Sequence, residues 1–157
     1  MQGILTVYNQ TQSRKVWVAD SFEGLPQCNK ELYPKDSGDW TSMNHSLAIS
    51  IEEVKENFKR YDLLGDNVIF LKGWFKDTLP VAPIEKLAIL RLDGDMYEST
   101  MDSLNNLYNK LQPGGFLIVD DYRIDSCLAA VSDFRNKNGI NDEIFMIDDD
   151  SAYWRKS

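Results

Sequence analysis

Two segments of this 157-residue chain end apolar runs in clustered carboxylates. Leu87-Ala-Ile-Leu-Arg-Leu-Asp-Gly-Asp95 and Gly114-Gly-Phe-Leu-Ile-Val-Asp-Asp-Tyr122 each read as a short buried parallel strand, a helix-length apart. In open α/β sheets, ligands bind beyond the carboxyl ends of the strands. Neighbouring strands would deliver Asp93, Asp95, Asp120 and Asp121 to that edge, where four carboxylates repel one another unless shared protons or a cation compensate. No His or Cys stands near them, so an oxygen-only site of this kind suits magnesium better than zinc. Each acid also has a plainer reading: Asp120 and Asp121 as caps of the following turn, and Asp95 as a turn residue beside Gly94.

Alternating strands and helices must position these acids. Lys15-Val-Trp-Val-Ala-Asp20 reads as a strand running into the turn Ser21-Phe-Glu-Gly-Leu-Pro26. Residues 27 to 46 are polar, contain Pro34 and Gly38, and read as a long surface loop of the kind that often forms a lid. Ser50-Ile-Glu-Glu53 is a capping box, and Ile51, Val54, Phe58 and Tyr61 continue it at helical spacing. Asn67-Val-Ile-Phe-Leu71 is the next strand, and Pro80 and Pro83 leave room for a turn or two of helix around Lys76 to Leu79. Met101, Leu104, Leu107, Tyr108 and Leu111 form the stripe of a crossover helix, and Leu128, Val131 and Phe134 mark another that Gly139 stops. Residues 143–147 and 152–155 suit two short final strands paired across Asp148-Asp-Asp150. This alternation predicts an α/β protein with a mostly parallel sheet and helices on both faces.

Composition narrows the function classes. A hydrophobic content of 43% supports one core and a single domain over 1–157. The net charge of −8 argues against nucleic acid or anionic membrane as partner and for small-molecule chemistry. No long apolar run or basic leader is present, which gives a cytoplasmic chain as the expectation. Cys28 and Cys127 have no metal-binding spacing and read as two free thiols.

Four blocks carry a family resemblance: Val16-Trp-Val-Ala-Asp-Ser-Phe-Glu-Gly-Leu-Pro26, Phe70-Leu-Lys-Gly-Trp-Phe-Lys-Asp-Thr-Leu-Pro80, Leu90-Arg-Leu-Asp-Gly-Asp-Met-Tyr-Glu-Ser-Thr100 and Val119-Asp-Asp-Tyr122. In this order they resemble the signature blocks of the macrocin O-methyltransferase family, and the likeness extends to Tyr153-Trp-Arg155. The resemblance implies a class I (Rossmann-like) methyltransferase fold, S-adenosylmethionine and Mg2+ as cofactors, and a hydroxyl of a sugar or similar small molecule as methyl acceptor. It further implies Asp93, Asp120 and Asp121 as metal ligands and Asp95 as general base. Asp20 becomes the carboxylate for the cofactor ribose, Ser21 stands beside it, and Gly73 and Trp74 lie at the adenine end. By residue type alone Trp17, Trp40, Trp74 and Trp154 read first as packing residues, with Trp40 in the loop the best candidate to meet the acceptor.

One departure from the family pattern bears on the fold. In that family a strand and a Gly-rich turn precede the residues matching Met1 to Tyr8, and no GxGxxG-like cluster occurs among the nine glycines here. Ile4 to Tyr8 stands too close to Val16 to be that strand, because a parallel crossover needs roughly ten to twelve residues, so it reads as the end of a helix. The expectation is an N-terminally incomplete domain with its first strand missing. Two further functions stay open on this reading: an inactive or partner-completed domain prone to homo-oligomerise, and a receiver-like phosphoacceptor. The second ranks last, because its acidic pair would come early and a Lys would follow the last core strand.

Overall fold

The computed structural model describes residues 1–37 and 47–157. In chain order these form α1 (Gln2–Val7), β1 (Val16–Asp20), a 3-10 turn (Pro34–Asp36), α2 (Ile51–Arg60), β2 (Val68–Lys72) and α3 (Phe75–Thr78). They continue with β3 (Leu87–Leu92), α4 (Tyr97–Leu107), β4 (Leu111–Val119), α5 (Asp125–Asn138), β5 (Phe145–Met146) and β6 (Ala152–Arg155). The Ser50 side of the capping box forms: its Oγ accepts from the Glu53 amide at 3.2 Å at the start of α2. Gly139 ends α5 in the left-handed conformation, φ 64°, where a Cβ would be strained. Trp40 and His45 fall among residues 38–46, outside the described ones.

β1 and β2 pair in parallel, Val16 opposite Val68 through Asp20 opposite Lys72. A second sheet has the order β3-β4-β6-β5, with β3 parallel to β4 and the last two strands antiparallel. The β3–β4 register sets Leu90 against Leu117 and Leu92 against Val119, so the acids after each strand emerge side by side. The Asp120 amide extends the ladder by donating to the Leu92 carbonyl at 2.9 Å.

Strand alternation sorts the second sheet into two unlike faces. Leu90, Leu92, Leu117, Val119, Ala152 and Trp154 are all buried, packed with Leu104 and Leu107 of α4 and Val131 and Phe134 of α5. The opposite face carries Ile89, Phe116 and Phe145, exposed by 40%, 40% and 43%. Among the described residues β1 pairs with β2 alone and β3 with β4 alone. Both strands line one cleft of about 1090 Å3, with Trp17, Ala19, Leu87 and Ile89 among its walls. No helix of the described residues is long and apolar enough to cross a membrane. Cys28 and Cys127 are unbridged.

Candidate active site at the strand ends

Asp93 leaves the end of β3, Asp95 follows one glycine later, and Asp121 leaves the end of β4. Each offers one carboxylate oxygen to a group in which all such atoms lie within 4.8 Å of one another. Asp95 sits in the left-handed region, φ 52°, and its amide donates to Asp121 Oδ2 at 3.3 Å. The Asp95 carbonyl accepts from Ser126 Oγ, at the start of α5, at 2.9 Å.

Electrostatics follow from that crowding. Partial burial and the neighbouring Asp95 carboxylate push Asp121 up to about 6. Burial also raises Asp93, aided by Asp121, Asp120 and Asp20 and opposed by Arg91. A charged oxygen-only cluster under this load fits a hard dication such as Mg2+, which would relieve the repulsion and take oxygen ligands only.

Asp120, the third acid expected at the metal, has a different partner here. Its Oδ1 accepts from Arg91 Nε at 3.1 Å, and its Oδ2 pairs with the same guanidinium. Arg91 also reaches Asp93 Oδ2 at 3.0 Å. The structure thus gathers Asp93, Asp121 and Asp95, and ties Asp120 to their rim through Arg91.

Three of the residues expected at the cofactor share one pocket with Asp93 of the acidic trio. Asp20, Ser21 and Trp74 line it together with Asp93, Gly94, Glu98, Ser99 and Asp102. Asp20 and Ser21 also build their own turn: Asp20 Oδ1 accepts from the Phe22 amide at 2.6 Å, and Ser21 Oγ donates to the Gly24 carbonyl at 2.6 Å. Gly73, also expected at the cofactor, does not line this pocket, and its amide donates to the Asp20 carbonyl at 2.9 Å. With φ 138° and a hypothetical Cβ only 2.6 Å from Thr78 Cγ2, that position admits glycine alone.

Three pocket and support residues escaped the sequence reading. Glu98 and Asp102 lie four apart on α4, a spacing that puts both on one helix face and was legible. Burial, then Glu98 and Asp77 against the opposing Lys76, pushes Asp102 up to about 6. Asp36, inside the segment read as a surface loop, is only 1% exposed, and nothing local in the sequence marks it.

Parallel β1–β2 and β3–β4 pairs with acids gathered past the strand ends fit the class I methyltransferase fold, and solved structures establish it. The O-methyltransferase NovP superposes with a TM-score of 0.96 at 50% identity over 100% of this chain and 65% of that one. The calicheamicin methyltransferase CalS11 shares the fold at a TM-score of 0.74 and 18% identity, covering 98% of this chain and 65% of that one. The chain belongs to the Macrocin-O-methyltransferase (TylF) family, which it matches over residues 1–156. It is 50% identical over 157 residues to the 8-demethyl-8-(2,3-dimethoxy-alpha-L-rhamnosyl)-tetracenomycin-C 4'-O-methyltransferase of Streptomyces olivaceus, covering 99% of this chain and 59% of the relative. It is likewise 50% identical to the demethyldecarbamoylnovobiocin O-methyltransferase of Streptomyces niveus, covering 100% and 60%. The chain therefore spans about three fifths of the length of these relatives.

Proposed function

We propose that residues 1–157 belong to one methyltransferase domain, N-terminally incomplete in this span, whose chemistry is transfer of a methyl group from S-adenosylmethionine to a hydroxyl of a sugar-like small molecule with the help of Mg2+. The observation that carries this reading is the sharing of Asp93 between the acidic trio and the pocket of Asp20, Ser21 and Trp74. When bound, the cofactor supplies an electrophilic methyl and the cation lowers the pKa of the acceptor hydroxyl. Asp93 and Asp121 would hold the cation, with Asp120 joining them if Arg91 releases it. Asp95, placed within the same group of oxygens, takes the hydroxyl proton. Asp20 would hold the cofactor ribose, Ser21 orders the turn beside it, and Gly73 and Trp74 would lie at the adenine end.

A hydroxyl is a poor nucleophile at neutral pH, so the reaction needs both proton removal and alignment with the methyl group. Calorimetric titration of the 157-residue chain with S-adenosylmethionine, with and without Mg2+, tests the reading. Saturable binding, together with loss of metal binding in Asp93→Ala, is the expected outcome. A folded chain that binds neither would overturn it.

A further inference from the structure

We infer that Asp36 is a positioning residue for the acidic cluster: its buried carboxylate seats the first turn of α4 and thereby holds Asp95 in the left-handed conformation that groups it with Asp93 and Asp121. The inference rests on reading that cluster as a metal site in which Asp95, besides serving as base, faces the cation with one of the three grouped oxygens. α4 begins at Tyr97, two residues after Asp95, and its own cap residue Met96 gives no side-chain hydrogen bond. The first amides of a helix lack intrahelical partners and must find others. Here Asp36 supplies them from a distant part of the chain, accepting from the Tyr97 amide at 2.6 Å and from the Glu98 amide at 3.1 Å. A carboxylate at this end of the helix also meets the positive pole of its dipole.

The 3-10 turn that carries Asp36 is itself fastened. Lys35 pairs with Asp133 of α5 and lies 5.0 Å from the centre of the Tyr97 ring. Tyr97 Oη donates to the same Asp133 at 2.9 Å. Asp36 is therefore a fixed part of the α4–α5 framework.

Asp95 needs such a framework. A non-glycine residue at φ 52° is disfavoured and persists where its surroundings over-determine it. Asp121 accepts from its amide, Ser126 donates to its carbonyl, and Met96, fully buried, links it to the amides that Asp36 holds. Removing the Asp36 carboxylate takes the partner from two partly buried amides at the start of α4 and frees the turn that carries Asp95.

The test combines Mn2+ titration with backbone NMR of the 157-residue chain as wild type, Asp36→Ala, Asp36→Asn, Asp95→Ala and the Asp36→Ala/Asp95→Ala double variant. Outer-shell changes typically weaken metal binding by roughly 10–100-fold. Asp36→Ala is expected to fall in that range although no ligand is removed, and to add nothing in the Asp95→Ala background. Its Asp95 Cα and amide shifts should leave the left-handed values. Asp36→Asn keeps one acceptor oxygen, should remain folded, and should show a smaller change of the same sign. Unchanged Asp95 shifts in both Asp36 variants, or an equal loss of Mn2+ affinity with and without Asp95, would overturn the inference. If the wild type binds no Mn2+, the metal reading falls separately, and the Asp95 shifts alone decide whether Asp36 positions it.

Discussion

Asp121 holds its proton to about pH 6 because it is half-buried and faces Asp95. The same group in an unfolded chain titrates near its ordinary value of 3.8, so between these values the native state binds the proton more tightly. Stability of the metal-free chain from this group is therefore fully present below the ordinary carboxylate range and is lost as pH rises through about 6. Thermal melts at pH 5 and 7 should show that dependence diminish in Asp121→Asn, while the contribution of Asp102, raised in the same direction, remains. A cation competes with the same proton. Apparent Mg2+ affinity should fall about tenfold per pH unit below the Asp121 transition if one proton is displaced per ion, and stay level above it. A flat affinity profile in calorimetry from pH 5 to 7 would remove Asp121 from the ligand set. Asp93→Asn should weaken Mg2+ binding at every pH, because Asp93 belongs to both the trio and the pocket.

The elements that carry these residues differ in how much they tolerate. Ser50 caps α2 in the open, so Ser50→Ala should cost about 1 kcal/mol in denaturant unfolding and leave metal binding intact. Gly73 joins β2 to α3 at φ 138° against Thr78. Gly73→Ala should therefore cost about 2 kcal/mol by the same measurement and also disturb the Asp20 carbonyl that its amide holds. What the sequence revealed follows the same division. The capping box, the left-handed stop at Gly139 and the acids at the ends of β3 and β4 are local signals, written in adjacent residues. The destination of Asp120 was not legible, because its pairing with Arg91 depends on the β3–β4 register and on which face each strand turns outward. Asp36 was less legible still: a polar residue in a polar segment becomes buried only because the start of α4 lies 61 positions further on.

At the scale of the whole molecule, burial is one-sided. The face of the β3-β4-β6-β5 sheet that meets α4 and α5 is closed, whereas the other presents Ile89 beside Phe116, and Phe145 stacked on Tyr153 at 5.4 Å between ring centres. An apolar patch on a sheet face, next to strand edges that among the described residues pair on one side only, favours association with a like surface. The net charge of −8 opposes that association, and salt screens it. Light scattering coupled to gel filtration should therefore show the chain self-associating with rising concentration, and more strongly at high salt than at low. Association through ion pairs would run the opposite way and weaken with salt. Replacing the two exposed rings, Phe116→Ser with Phe145→Ser, should shift the population toward monomer. The helix content seen by circular dichroism should stay unchanged, because neither ring belongs to the buried face. A wild-type chain that stays monomeric across the whole concentration range at high salt would show that this face does not mediate association of the isolated chain.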